Sequence, residues 1–304
     1  IETAQPVAAV IISVALMLFS GFLMTRITKL LRLPNVTAYI VAGILIGPYC
    51  LDLVPQRIIS GTDFLSDIAL AFIAFSTGEF FKLSVLKKSG MKVVWITLFE
   101  SVLASVFVFV LTYFVFRLEL AFSIVLAALA SATAPASTMM TIRQTGAKGD
   151  FVDTLLQVVA LDDVVGLVLY SVAISVALAS LGGSRGFSFE TLVKPVLLNL
   201  AALALGGLFG LVMKLLMPAR RSTDNKLIIS VALLFAFCGV CTLLDVSPLL
   251  GCMAMGTVYT NVAENDKLFK QLGYFSPPIL LLFFVRSGMN FKLDALFSAS
   301  GSLN

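Results

Sequence analysis

The sequence predicts an all-α polytopic membrane protein organised as an inverted repeat, and three observations carry that class. Of 304 residues, 59% are hydrophobic and only 12% charged, with a mean hydropathy of +1.04; soluble domains carry about twice that charge. The apolar residues lie in ten continuous runs, not in the alternating pattern of a membrane β-barrel. Short motifs from the start of the chain recur, in the same order, near its end. The net charge of +4 sits in the connections, so it reports orientation and not nucleic-acid binding. There is no histidine, which leaves carboxylates to handle any proton.

The ten runs are 7–28, 36–51, 64–82, 92–116, 121–143, 153–181, 192–217, 226–244, 247–262 and 274–291, most of them near the roughly 20 residues that cross the hydrocarbon. The first follows only Glu2, without the basic segment of a signal peptide, and the chain opens on Ile1, so an upstream start is expected. The second opens behind Pro34; the third ends at Gly78–Leu83. The fourth carries Glu100, placed to line an aqueous cavity or to reach its edge. The fifth is interrupted by Pro135 and the sixth carries Asp162 and Asp163. The eighth holds Cys238 and Cys241, a C-x-x-C without a second ligand pair, read as small packing residues. The ninth opens behind Pro248, and the tenth buries Arg286, which requires a structural ion pair or an interface.

Basic residues set the orientation. With the N-terminus outside, the inside connections collect Arg26, Lys29, Arg32, Lys82, Lys87, Lys88, Lys92, Arg143, Lys148, Lys214, Arg220, Arg221, Lys226, Lys267 and Lys270. The outside ones hold Arg57, Arg117, Arg185, Lys194 and Lys292. Fifteen against five favours N-out.

The hexapeptide Ile11–Leu16 recurs unchanged as Ile228–Leu233, Ala42-Gly43 behind Pro34 matches Met255-Gly256 behind Pro248, and Gly78–Leu83 matches Gly288–Leu293. The offsets are 217, 213 and 210. Spans one and eight run in opposite directions by the basic-residue count, so the copies are inverted, an arrangement that places ion sites near the midplane in many transporters. Spans 1–3 (1–91) and 8–10 (226–304) are the matched parts, 92–181 holds spans 4–6, and 182–225 is a linker with span 7. Counterparts of spans 4–6 are missing from the second copy, so the chain is expected to be part of a protein of about thirteen spans.

The chemistry concentrates in spans five and six. Between Leu155 and Leu181 the only charged residues are Asp162 and Asp163. A mid-membrane carboxylate costs about 2.5–3.5 kcal/mol on insertion scales, and adjacent carboxylates repel. Such a pair needs a cation or a proton; the alternative is a purely architectural acid pair. Neighbours on a helix point about 100° apart, so one aspartate should coordinate while the other pairs with a base or keeps a proton. In span five, Pro135 has no N–H and crowds the carbonyl of Ser131. Freed carbonyls and the hydroxyls of Ser131, Thr133, Ser137 and Thr138 are hard oxygen ligands for an alkali cation, with Gln157 on span six as further support. The plain alternative is a proline kink whose hydroxyls bond back to the backbone.

Pro34–Gly43 with Gly47-Pro48, Ser131–Thr138 followed by Ala147-Lys148-Gly149, Leu161-Asp162-Asp163 and Phe283–Gly288 together resemble the monovalent cation/proton antiporters, in the branch containing bacterial sodium/proton and potassium/proton exchangers. The resemblance implies the inverted-repeat antiporter fold; enzyme activity is not expected, since the sequence holds no nucleophile–base set or metal quartet. It implies a homodimer through spans 1–3 and 8–10, and a core containing spans 4–6 that carries the ion by an elevator-like shift. It makes Asp163 the principal carrier of Na⁺ (or Li⁺, K⁺) and H⁺, with Asp162 beside it and paired to a base beyond Asn304. The doublet looks like that of exchangers moving two protons per cation. Ala134 departs from the acid that many members carry there, and some potassium/proton members share the alanine. A prokaryotic plasma (inner) membrane, a role in pH homeostasis and no cofactor are expected. The competing readings are a K⁺/H⁺ antiporter, a sodium-coupled organic anion symporter, and a non-transporting membrane subunit or ligand-gated leak. Beside the acids, span six offers an organic substrate only Gln157, Tyr170 and Ser171.

Overall fold

The computed structural model describes residues 6–31, 33–84, 87, 90–180, 189–218, 220–244, 246–263 and 267–292, and among them every regular element is helical. The helices are α1 Pro6–Leu30, α2 Asn35–Ile46, α3 Gln56–Gly61, α4 Phe64–Thr77, α5 Met91–Phe109, α6 Leu120–Leu129, α7 Pro135–Thr145, α8 Asp150–Ser180, α9 Phe189–Leu216, α10 Thr223–Leu243, α11 Leu249–Val262, α12 Lys267–Phe275 and α13 Pro277–Met289. Helix α4 tightens into a 3₁₀ turn, Gly78–Phe81, and α5 widens into a π turn, Val110–Val115. Six stretches are long and apolar enough to cross a bilayer: Val7–Leu30, Phe64–Phe81, Met91–Val115, Asp150–Ile174, Leu197–Leu216 and Thr223–Leu243. Helices α12 and α13 form a seventh, bent by 49°, and α2, α6 and α11 are shorter apolar helices.

All ten predicted runs are therefore helical, but two differ in detail. The second run, predicted over 36–51, stops at Ile46 because Gly47 turns extended and Pro48 lacks the N–H to continue. The chain folds back so that Leu51 N–H and Leu53 N–H donate to Leu45 O and Ile46 O, both at 3.0 Å, meeting carbonyls that a helix end leaves unpaired. Short α3 behind Pro55 was not expected. The tenth run, predicted over 274–291, is a broken pair because Pro277 and Pro278 start a new helix at Ser276.

The contacts divide the chain into two units, residues 1–70, 140–146 and 270–304, and residues 71–139 and 147–269. In the first, α2 packs against α1 and α13. At the α2–α13 crossing a Cβ on Gly43 would lie 1.9 Å from Val285 O, and one on Gly288 2.1 Å from Ile40 O. Only glycine lets the two backbones touch in this way. In the second unit, α11 packs on α9 and on the 3₁₀ turn that ends α4. There a Cβ on Gly256 would lie 2.1 Å from Phe75 O, and one on Gly78 2.5 Å from Met253 O. Ile40 and Met253, like Gly43 and Gly256, are 213 residues apart; Phe75 and Val285, like Gly78 and Gly288, are 210 apart. The same backbone contact is made twice, and each time the second element of one repeat copy meets the third element of the other.

Arg286, on α13, finds the structural partners its burial demands. It is 8% exposed; its Nε–H donates to Ile59 O at 3.1 Å, its Nη1–H donates to Ser66 Oγ at 2.9 Å, and its Nη2 pairs with Asp63 Oδ1. The guanidinium thereby pins the α3–α4 corner, sharing with the Thr62 hydroxyl a carbonyl near the end of α3. Cys238 and Cys241 are buried and outside any disulfide.

Candidate ion site

The interruption of span five follows directly from its sequence. Helix α6 ends at Leu129, Ala130 keeps a helical backbone, and α7 restarts at Pro135, whose missing N–H costs nothing in a helix's first turn. Residues 132–134 between them have no regular structure. Ser131 N–H donates to Ala128 O at 3.2 Å, and the Ser131 hydroxyl donates to the same carbonyl at 2.7 Å. Its proton is thus committed to its own helix end, and its lone pairs remain available as acceptors. Thr133, Pro135 and Ser137 are partly buried and Ala134 is exposed.

Helix α8 brings the acids to this interruption. A Cβ on Gly166 would lie 2.8 Å from the Ala132 side chain and 3.3 Å from Ser131 Oγ, so α8 packs directly on the interruption there. Asp162 is four residues earlier on the same face, about 6 Å along the axis. Asp162 is 0% exposed. Its Oδ1 accepts from the Ser101 hydroxyl of α5, and its Oδ2 is buried with no N–H or hydroxyl donor among the described residues. The carboxyl of Glu100, itself exposed, lies within hydrogen-bonding reach of Asp162; a bond between two carboxyls requires a proton on one of them. Asp163 is partly buried and within electrostatic reach of its neighbour.

Of the residues read from sequence, Asp162, Asp163, Ser131 and Glu100 share one region, where α5, α8 and the interruption meet. Gln157, 2% exposed, lies more than a turn before Asp162 with its Oε1 unpartnered. Neither Gln157 nor Thr133 hydrogen-bonds to an aspartate among the described residues. Two residues the sequence reading did not select complete the region: Ser101, which holds Asp162, and Gly166, which admits the interrupted strand. Their signals were present as a hydroxyl every fourth residue in α5 and a glycine four residues after an acid. No group of three or more acids or thiols spaced to hold a metal ion occurs among the described residues. A cation here would rely on one or two carboxylates with hydroxyl and carbonyl oxygens from the interruption.

Comparison with known proteins follows the same lines. Residues 13–303 match the family described as sodium/hydrogen exchanger, transmembrane. The fold is similar to the structure of the sodium proton antiporter MjNhaP1 from Methanocaldococcus jannaschii determined at pH 8, with a TM-score of 0.69 and 22% identity over 96% of this chain and 73% of that one. An electron-microscopy structure of MjNhaP1 gives a TM-score of 0.69 and 18% identity, over 95% and 71% of the respective chains. No curated protein matches. The chain is a multi-pass integral membrane protein, and it belongs to the sodium/hydrogen exchanger family of cation/proton antiporters, which are transporters and not enzymes.

Proposed function

We propose that this chain exchanges Na⁺ for H⁺ at Asp162 and Asp163, with Asp163 as principal carrier. Ser131, Thr133 and the freed carbonyls beside Pro135 complete the oxygen shell. The observation that carries the reading is Asp162 itself: a fully buried carboxylate with one oxygen that no N–H or hydroxyl among the described residues meets, one helical turn from an interrupted backbone. Charge stranded at low dielectric must be compensated, and here either a cation or protons can do so, one excluding the other. Competition for one set of oxygens is sufficient for exchange.

The rest of the mechanism follows the family pattern. Spans 4–6 shift as an elevator-like core against spans 1–3 and 8–10, which also form a homodimer, with the N-terminus outside a prokaryotic plasma membrane. The deciding experiment uses the full-length protein in proteoliposomes, recording collapse of a pH gradient on addition of Na⁺, Li⁺ or K⁺. Exchange with Na⁺, lost in Asp163→Asn while the dimer remains folded, is the expected result. Exchange with K⁺ alone would reassign the cation, in keeping with Ala134. No exchange with any of the three between pH 6.5 and 9, or retained exchange in Asp163→Asn, would overturn the proposal.

A further inference from the structure

We infer that Ser101 is a positioning residue for exchange: its hydroxyl fixes the Asp162 carboxylate by Oδ1 so that Oδ2 is held out to the cation. The inference rests on the exchange reading above and adds to it a residue on α5, a helix outside both the interruption and the aspartate doublet.

Helix α5 turns one narrow polar stripe inward. Thr97, Ser101 and Ser105 are spaced four residues apart, which puts them on one face. Thr97 and Ser101 are buried, whereas Trp95, Phe99, Leu103 and Phe107 around them are exposed. The three hydroxyls are used differently. Thr97 donates to Val93 O of its own helix at 3.0 Å, the ordinary recourse of a helical hydroxyl. Thr112 of the same span donates back to Val108 O at 2.8 Å. Ser105 Oγ has no partner among the described residues. Ser101 alone in the stripe leaves its helix and donates to Asp162.

A hydroxyl bond to an ionised carboxylate is stronger than one between neutral groups, and aspartate has only two side-chain torsions to fix. One such bond is enough to set the direction of the second oxygen. The carboxylate is then neither saturated, which would leave no capacity for a cation, nor free to swing toward the like charge of Asp163. Ser101 is 0% exposed, so water cannot take its place as donor without entering the packing between α5 and α8.

The test is the concentration dependence of Na⁺-driven proton movement in proteoliposomes of the full-length protein. Ser101→Ala should raise the apparent KM for Na⁺ about tenfold, equivalent to about 1.4 kcal/mol, with the maximal rate within about twofold of wild type. Ser101→Thr, which restores a hydroxyl, should return KM to within about threefold. An unchanged KM in Ser101→Ala overturns the inference, as does a fall in maximal rate at constant KM, which is the mark of a packing role. If Ser101→Ala does not fold, Ser101→Cys keeps the size and weakens the donor; a raised KM supports the inference and an unchanged one overturns it. Asp163→Asn run alongside separates the two readings. A silent Asp163→Asn with a wild-type-like Ser101→Ala sinks only the role of Ser101, whereas an active Asp163→Asn sinks the site.

Discussion

Arg286 and Asp162 are both charged side chains buried in apolar helices, and the protein treats them in opposite ways. Arg286 spends its fork of donors on Ile59 O, Ser66 Oγ and Asp63. Asp162 receives one hydroxyl on Oδ1 and nothing from an N–H or hydroxyl on Oδ2. A buried charge whose capacity is filled from neighbouring elements is architecture, because nothing else can bind it. On the exchange proposed above, one left half-filled beside an interrupted helix is a place for something that comes and goes. The contrast separates the two readings that a charged residue in an apolar span always allows.

The contrast can be broken most severely at the acid. Asp162→Asn should lower exchange more than about 100-fold while leaving the thermal unfolding midpoint in detergent unchanged or higher, since an amide removes an incompletely compensated buried charge at constant shape. Loss of exchange explained by a falling midpoint would remove Asp162 from the site. Next in size is the glycine crossing, the architectural extreme of the molecule. Gly43→Ala places a methyl 1.9 Å from Val285 O and should cost about 3 kcal/mol or prevent folding. Gly256→Ala should behave alike at 2.1 Å from Phe75 O, which tests whether the repeated contact matters equally in both places. Arg286→Met should be the mirror image of Asp162→Asn. The midpoint falls by the equivalent of about 1–2 kcal/mol as the Ser66 hydroxyl loses its donor and the Ile59 carbonyl keeps only that of Thr62, with exchange per folded molecule within about threefold. Asp63 is 74% exposed, so its share of that loss is small.

Smaller effects sharpen the picture. Gly166→Ala adds a methyl 2.8 Å from the Ala132 side chain, pushing the interrupted strand from α8. Exchange should fall about tenfold with little change in the midpoint, measured on the same proteoliposome and detergent samples. Gly239→Ala, with nothing within 4 Å of the added carbon, should leave exchange intact and raise stability by up to about 1 kcal/mol.

Much of this was legible before any coordinates, for reasons that differ by element. The long spans announce themselves because a membrane leaves no other use for 20 apolar residues, and the doublet because its cost is visible in sequence. The repeat offsets anticipated the pairing of Gly43 with Gly288 and of Gly78 with Gly256 only in the sense of equivalence; which copy touches which is a tertiary fact. The stop at Ile46 and the bend at Ser276 were written in Gly47-Pro48 and Pro277-Pro278, yet hydropathy runs straight across both. Ser101 was hidden because a serine inside an apolar helix carries no mark distinguishing a hydroxyl bonded to its own backbone from one bonded 61 residues away. The partners of Arg286 were hidden likewise, since they sit in a connection more than 200 residues upstream.

The central claim is that one set of oxygens holds either a cation or protons. The most direct measurement is Na⁺ titration of the purified full-length protein by calorimetry in buffers of differing ionisation enthalpy, which counts protons released for each cation bound. The account predicts net proton release on Na⁺ binding, absent together with binding in Asp163→Asn. Cation binding without proton release at every pH from 6.5 to 9, or undiminished release from Asp163→Asn, would contradict it.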